Sequence, residues 1–594
     1  MQEDLRHCRR NMAGYEQELD RGVIDHGSAG VAASLAMRAA AVAIAVLAAA
    51  AALAWLLAPG RASDFGLTRH LFVHQDIGFV AGFIFLLLLW RHWLSRRREP
   101  EVLALHPGHI VLLAFALLLI CRVGSHLAFS GFDLSRDEQL ADFDAAVYAH
   151  GAAFARFPEA WRPWFAALND TFLVTIGDRE GWISSYLPMN AVARALVGRI
   201  VEPAWTSPLF VAIGAVALWR IARRLWPASA GAQIAVLLLY AGSSQLLVAG
   251  MTAYAMSGHL ALNLVWLALF LRGGRLGHGG ALAVALVATG LHQPLFHPLF
   301  ALPFVDLLYR RKQWRLFALY AGGYAAIGLF WLAWPLWVAS HGVAPAQLNP
   351  EGVGYFERIR HLLPGRSLAD IGLMSANLVR FLTWQHLLAT PLAILGVIVC
   401  WRSDPFARAL AMGIILTLVA MSLLMPYQGH GWGYRYLHGL IGNFVLLGGY
   451  GWHYCETRGL RLPIRMATVL SLCVLFPVHA LLAHRQAAPY IDASRVIGRS
   501  AADIVVVDDE AASYAADLVI NRPDLSNRPL RMRASRIDPA TVRQLCRRGT
   551  LAFVDAAQLQ ALNIYFGLPL GQPTRWQQTI ENAAGQAGCV VTPL

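Results

Sequence analysis

A chain of 594 residues that is 57% hydrophobic and only 14% charged, with a mean hydropathy of +0.48, lies outside the soluble globular range and reads as a polytopic membrane protein. The net charge of +13 does not point to nucleic acid, because the arginines stand in short clusters between apolar runs, where they set membrane topology. Lys312 is the only lysine, which excludes lysine chemistry outside one loop.

Residues 1–33 are polar and carry Arg6, Arg9, Arg10 and Arg21, predicting a cytoplasmic segment ahead of an uncleaved anchor. Apolar stretches of bilayer length then follow near 34–58, 74–94, 107–129, 206–225, 229–249, 252–271, 279–293, 294–309, 316–339, 386–401, 408–426, 437–455 and 465–484. They predict about thirteen crossings within a transmembrane domain over 34–485. With the amino terminus inside, six basic clusters fall on the cytoplasmic side, among them Arg96 to Arg98, Arg220 with Arg223 and Arg224, and Arg310 with Arg311. The sequence GLHQPLFHP at 290–298 is read as the turn of a two-armed hairpin, since one helix there would invert every later cluster. Internal symmetry of the kind seen in inverted-repeat transporters is not evident.

This topology leaves three parts outside: 130–205, 340–385 and 486–594. In the first, Leu140, Phe143 and Val147 recur at helical spacing and predict a short amphipathic helix lying on the membrane. Trp161, Trp164, Trp182 and Tyr186 would hold that loop against the bilayer surface. In the second, Tyr355, Ile359, Leu362 and Leu363 make one apolar helix face, and Leu373, Leu378, Phe381 and Leu382 another. These helices either pack under the first loop or help close a substrate groove. In the third, 504–507 (IVVV), 530–532 and 551–554 read as buried strands, with helices over 511–520 and 539–548, the second capped by Asp538. The fold class is therefore a polytopic α-helical membrane protein with a small extracytoplasmic α/β domain at 486–594. Cys546 and Cys589 both fall in that domain, as a disulfide or as two free thiols.

Chemistry concentrates on the outer face. Asp133, Asp137, Glu138, Asp142 and Asp144 follow directly on an apolar segment, where the chain has just emerged into water. Each is either part of a solvated loop or a base facing a lipid-borne substrate, and Asp137 with Glu138 are the catalytic candidates. The loop PYQGHGWGYRYLH at 426–438 places Arg435, Tyr436, His430 and His438 at the membrane surface. An arginine there either snorkels or binds phosphate, for which its planar fork is suited. His430, His292 in the 290–298 turn and His259 are further substrate contacts, and His297 in the same turn is either hydrogen-bonded or in contact with substrate. The histidine spacing matches no metal-ligand signature, so neither metal nor other cofactor is expected. A carboxylate facing a phosphate-binding arginine can deprotonate an acceptor hydroxyl while the guanidinium stabilises a departing phosphate.

RDEQLADFDAAVYAHG, GWISSYLPMNAVARALVG, ALWRIARRLW and the later Arg435-Tyr436 pair together resemble the GT-C superfamily, and within it the protein O-mannosyltransferase and aminoarabinose transferase type. The resemblance spans roughly 130–440. It implies an inverting glycosyltransferase of the bacterial inner membrane that uses a polyprenyl-phosphate sugar and a glycan, lipid or protein acceptor, with no nucleic acid partner. Asp137 would then be the base, Glu138 its neighbour, and Arg435 with Tyr436 the lipid-phosphate contacts. The chain departs from the pattern in having Ser257, Gly258 and His259 where the family often has an acid. It also has Ser184 and Ser185 near the place of a lysine, and two additional amino-terminal helices. A transporter or flippase of a lipid-linked sugar, or a non-catalytic envelope-assembly subunit, is the rival reading.

Overall fold

The computed structural model describes residues 26–60, 66–93, 105–340, 367–460, 462–563 and 572–594. A helix stands at every one of the apolar stretches, and the chain is a polytopic helical membrane protein. Among the described residues seven helices are long and apolar enough to cross a bilayer: Ala29–Leu57, Gly66–Leu89, Pro107–Phe129, Pro203–Leu225, Trp314–Ala339, Pro405–Leu424 and Ile464–Gly498. The remainder are shorter. Ile441–Glu456 has 16 residues, which at 1.5 Å each reach about 24 Å, less than the roughly 30 Å of hydrocarbon. The stretch at 229–249 is broken into Ala230–Ala241 and Ser244–Ala249, because the Ser243 hydroxyl accepts from Leu246 N at 3.2 Å and starts a new helix. At 290–298 the two arms are separate helices, Gly274–Thr289 and Phe296–Arg310. Leu112, Leu127 and Leu329 are 67%, 75% and 69% exposed, an apolar rim that suits lipid rather than water.

The expected helix around 355–363 lies outside the described residues. Its partner, Leu368–Thr383, packs on the first long helix and on the helical segment around Asp76 rather than beneath the first outer loop. Gly372 permits the approach, since a Cβ there would sit 2.3 Å from Ala58 N. An ion pair, Arg380 to Asp76 at 2.8 Å, lies wholly inside this contact, and Arg380 also donates to the Thr68 carbonyl at 3.0 Å. On its other side the helix supports the 426–438 loop: Asn377 donates to the Pro426 carbonyl at 2.7 Å.

The first outer loop differs from expectation in two ways. Its helix, Arg136–Ala149, does not lie on a surface; Leu140, Phe143 and Val147 are buried, and so are Asp144 and Gln139. Trp164 and Trp182 are core rather than interfacial anchors, for they are 3% and 1% exposed and Trp182 is packed by Phe143, Phe157 and Phe165. Three strands too short to read from sequence form an antiparallel sheet in the order β1-β3-β2: β1 (Ala155–Arg156), β2 (Leu173–Ile176) and β3 (Gly181–Ser184).

The carboxyl-terminal strands fall where the sequence placed them: β4 (Ile504–Val507), β5 (Leu530–Arg533) and β6 (Leu551–Val554), parallel, in the order β5-β4-β6. The stretch 511–520 holds only a single 3-10 turn, Ala515–Leu518, instead of the expected helix. At 539–548 a 3-10 turn leads into Val542–Cys546, and Asp538 caps it by accepting from Ala540 N at 3.0 Å. Cys546 and Cys589 form a disulfide. Side chains alternate across β4, as in any strand. Val505 and Val507 pack in one cluster with Tyr254, Trp384 and Trp432, while Ile504 and Val506 share another with Phe143, Trp164 and Trp182. This sheet thus shares its apolar interior with the first outer loop. Hydrogen bonds stitch the two together, among them Gln139 to the Asp517 carbonyl at 2.8 Å, Asn169 to the Ala516 carbonyl at 3.0 Å and Trp182 to the Pro523 carbonyl at 2.8 Å.

Candidate functional site

The site begins with a helix start. Ser135 is the N-cap of Arg136–Ala149 and Glu138 its third residue, and the two form a capping box: Ser135 N donates to Glu138 Oε2 at 3.2 Å and Glu138 N to Ser135 Oγ at 3.4 Å. Glu138 also accepts from Ala253 N at 3.4 Å. It is only 2% exposed and fully engaged in structure, so the geometry does not bring it to the cleft as a partner of Asp137. The other acids are engaged in the same way. Asp142 pairs with Arg194 at 2.5 Å, and Asp144 accepts from Ser184 N at 3.1 Å and from its hydroxyl.

Asp137, one residue before Glu138, points elsewhere. Its Oδ2 accepts from Arg435 Nη1 at 2.6 Å across 298 positions of sequence, and its Oδ1 accepts from the Tyr186 hydroxyl. Burial alone would raise this carboxyl, but the Arg435 guanidinium and the Tyr186 hydrogen bond outweigh it and hold it below the usual aspartate range. Tyr186, read from sequence as an interfacial aromatic, therefore belongs to the site. Its ring stacks on His292 with centroids 4.0 Å apart, and backbone bonds from Leu187 N to the His292 carbonyl and Met189 N to the Gly290 carbonyl hold the two segments together. Burial, with Arg435 beside it, pushes His292 down to about 4, so its imidazole is neutral at pH 7.

Arg435 is aimed by its own loop. Gln428 accepts from Arg435 N at 2.9 Å, donates to the Gly433 carbonyl at 3.0 Å, and offers its carbonyl to Arg435 Nη2. Gly433 has φ +65°, and a Cβ there would strike the Gln245 side chain, so the turn requires glycine. The guanidinium lies 4.9 Å from the Tyr254 ring centroid and 5.7 Å from that of Tyr436, and these neighbours with Asp137 keep it charged despite its burial. The amide of Gln428 and the Tyr254 ring were missed in the sequence. An amide inside a glycine-rich turn was the one available signal for Gln428.

His259, His292, Arg435 and Tyr436 line one recess. The remaining histidines do not join it. His430 turns its ring toward Tyr490 and Tyr514, His297 is bonded to Asn263 and Tyr324, and His438 packs beside Gln245.

Two predictions arise from this geometry. Tyr186→Phe removes the hydroxyl that fixes Asp137 without changing the packed ring, and a hydrogen bond to a charged group contributes about 1.5–3 kcal/mol. Carried over to the glycosyl transfer that the sequence resemblance implies, the expected outcome is a fall in kcat of about ten- to a hundredfold with the donor KM unchanged, read by steady-state kinetics. The acidic limb of the pH profile should move upward as the carboxylate loses its donor. The second prediction concerns stability. Burial raises Glu138, Asp144 and Asp517 each to about 7, against ordinary values of 4.5, 3.8 and 3.8, and Asp133 is raised as well. Between about pH 4 and pH 7 the folded chain therefore holds protons that the unfolded chain has shed, and stability falls as pH rises through that window. Asp137 and Asp142, held low, act in the opposite sense only below their ordinary value of 3.8. Thermal melts should show a midpoint that drops from pH 4.5 to pH 7, and Asp144→Asn should flatten the slope.

No protein-family model and no curated protein matches the chain. Among solved structures it is similar to ArnT from Cupriavidus metallidurans bound to undecaprenyl phosphate, with 16% identity and a TM-score of 0.43 over 82% of this chain and 90% of that one. It is similar also to the same protein in the apo state, with 15% identity and a TM-score of 0.41 over 82% and 89% of the two chains.

Proposed function

We propose that the chain is an inverting glycosyltransferase that moves a sugar from a polyprenyl-phosphate donor to an acceptor at the extracytoplasmic face of a bacterial inner membrane. In this reading the amino terminus is cytoplasmic and residues 486–594 are periplasmic. The observation that carries it is the largely buried Asp137–Arg435 pair, since among the five acids at 133–144 Asp137 is the one bonded to the 426–438 loop. The sequence resemblance to the GT-C superfamily assigns the same two residues to base and phosphate.

At rest the guanidinium and carboxylate neutralise each other. A donor phosphate offers Arg435 a bidentate partner, and transfer of its fork to the phosphate frees the carboxylate at the moment the sugar is in place. The acceptor oxygen then attacks the anomeric carbon, its proton passes to Asp137, and the bond to the phosphate oxygen breaks. Arg435 holds the charge that develops on the leaving polyprenyl phosphate. A single displacement inverts the anomeric configuration. The donor is charged and the acceptor carries a hydroxyl, so this chain of steps needs no other reactant.

The test is direct. Purified protein incubated with radiolabelled polyprenyl-phosphate sugar and an envelope extract should release label into an acceptor, with free polyprenyl phosphate as the second product. Label that crosses a vesicle membrane while still attached to its lipid would instead identify a flippase. Arg435→Lys keeps the charge but loses the planar fork, and a drop in transfer of about ten- to a hundredfold is expected.

A further inference from the structure

The recess beside Arg435 carries more unspent hydrogen-bonding capacity than a phosphate site needs. It is open on one side, and His259, His292, Phe296, Thr417 and Tyr436 stand in its wall with Arg435. Both ring nitrogens of His259, Nε2 of His292, Oγ1 of Thr417 and Nε of Arg435 are buried without a hydrogen-bond partner. His259 and Thr417 are 4% and 2% exposed. A buried polar atom left unpaired costs about 1–3 kcal/mol, so five on four neighbouring side chains call for a ligand with several polar groups of its own.

The kind of ligand follows from the chemistry of the wall. Imidazole and hydroxyl groups each donate and accept, which matches sugar hydroxyls, since those do the same. Phe296 and Tyr436, stacked with centroids 5.7 Å apart and planes inclined by 23°, make an apolar aromatic part of the same wall, of the kind that packs against the C–H groups of a pyranose. Arg435 is the only charged residue in the lining, and Asp137 is not part of it. A protonated amine on the sugar finds no acid in that lining and sits near a guanidinium; the nearest carboxylate, Asp137, lies beyond Arg435 and in the glycosyl-transfer reading is kept for the acceptor's proton. A carboxylate would compete with the phosphate for that same guanidinium. Burying either charge without a partner costs far more than a hydrogen bond returns.

We infer that this recess is the sugar subsite and that it sorts donors by charge, accepting a neutral polyhydroxylated ring and rejecting sugars that bear an amine or a carboxylate. His259 and Thr417 are its specificity-determining residues. This rests on the glycosyl-transfer reading. Arg435 must turn away from Asp137 to admit the donor, and the ring then occupies the space between His259, Thr417 and the aromatic pair.

The test measures binding by the full-length protein in lipid nanodiscs to four ligands with one polyprenyl chain: the phosphate alone, a hexosyl phosphate, an aminohexosyl phosphate and a uronosyl phosphate. The hexosyl compound should bind at least about tenfold more tightly than either charged one. Thr417→Val, which keeps shape and removes the hydroxyl, should weaken hexosyl binding several-fold and leave the bare phosphate within about twofold. His259→Asp should narrow or reverse the gap in favour of the amine. If the bare phosphate binds and the hexosyl compound binds no better than the charged ones, the subsite proposal is overturned and the glycosyl-transfer reading stands. If no polyprenyl phosphate binds at all, both fall.

Discussion

Asp137→Asn is expected to reduce transfer by about 10³- to 10⁴-fold in kcat, at the upper end of what a positioned general base contributes. The substitution is nearly isosteric, and the new amide oxygen still accepts from the Tyr186 hydroxyl that now meets Oδ1. What disappears is the negative charge opposite Arg435 and the ability to take a proton. Two consequences separate this outcome from simple misfolding. The freed guanidinium should bind polyprenyl phosphate more tightly than it does in the parent, so catalysis and binding move in opposite directions. The buried cation also loses its counter-charge, and removing one partner of such a pair costs of the order of 3–5 kcal/mol, visible as a lower melting temperature that added polyprenyl phosphate restores. Transfer within tenfold of the parent, measured on folded protein, would remove Asp137 from its proposed role.

The second large effect lies away from the chemistry. Arg380→Met leaves Asp76, which is 0% exposed, without its cation, and a loss of about 3–5 kcal/mol in resistance to unfolding in detergent is expected. The double substitution Asp76→Leu with Arg380→Met should recover most of that loss, because two apolar side chains cost nothing to bury. A single variant as stable as the parent would show that the pair contributes nothing. Activity should fall with stability in the single variant, since the helix that carries Arg380 also holds the Pro426 carbonyl through Asn377, and so steadies the loop that presents Arg435.

The sequence carried the apolar segments, the hairpin turn and the three parallel strands because each is a run of one residue class, long enough to be seen without partners. Asp137 and Arg435 were legible by their chemistry: an acid and a cation at the ends of apolar segments are costly unless used. Glu138 was misjudged because adjacent residues on a helix point about 100° apart, and the capping box takes the second of the two. The polar helix Arg136–Ala149 looked solvated because the partners that satisfy its charges, Arg194 and Ser184, are some forty to fifty residues away. Tyr186 was taken for an anchor for the same reason, since nothing local reveals that its hydroxyl meets Asp137. Strands of two to four residues leave no period to detect, so β1 to β3 were invisible.

The segment that bears Asp137 is fastened to residues 516, 517 and 523 by hydrogen bonds, and to β4 through common packing. Gln139 and the Asp517 carbonyl that it meets stand 378 positions apart, so the ribosome delivers the outer loop well before the segment that fastens it. A nascent chain that has threaded its first apolar segments through the bilayer already carries Asp137 but still lacks the support that seats it.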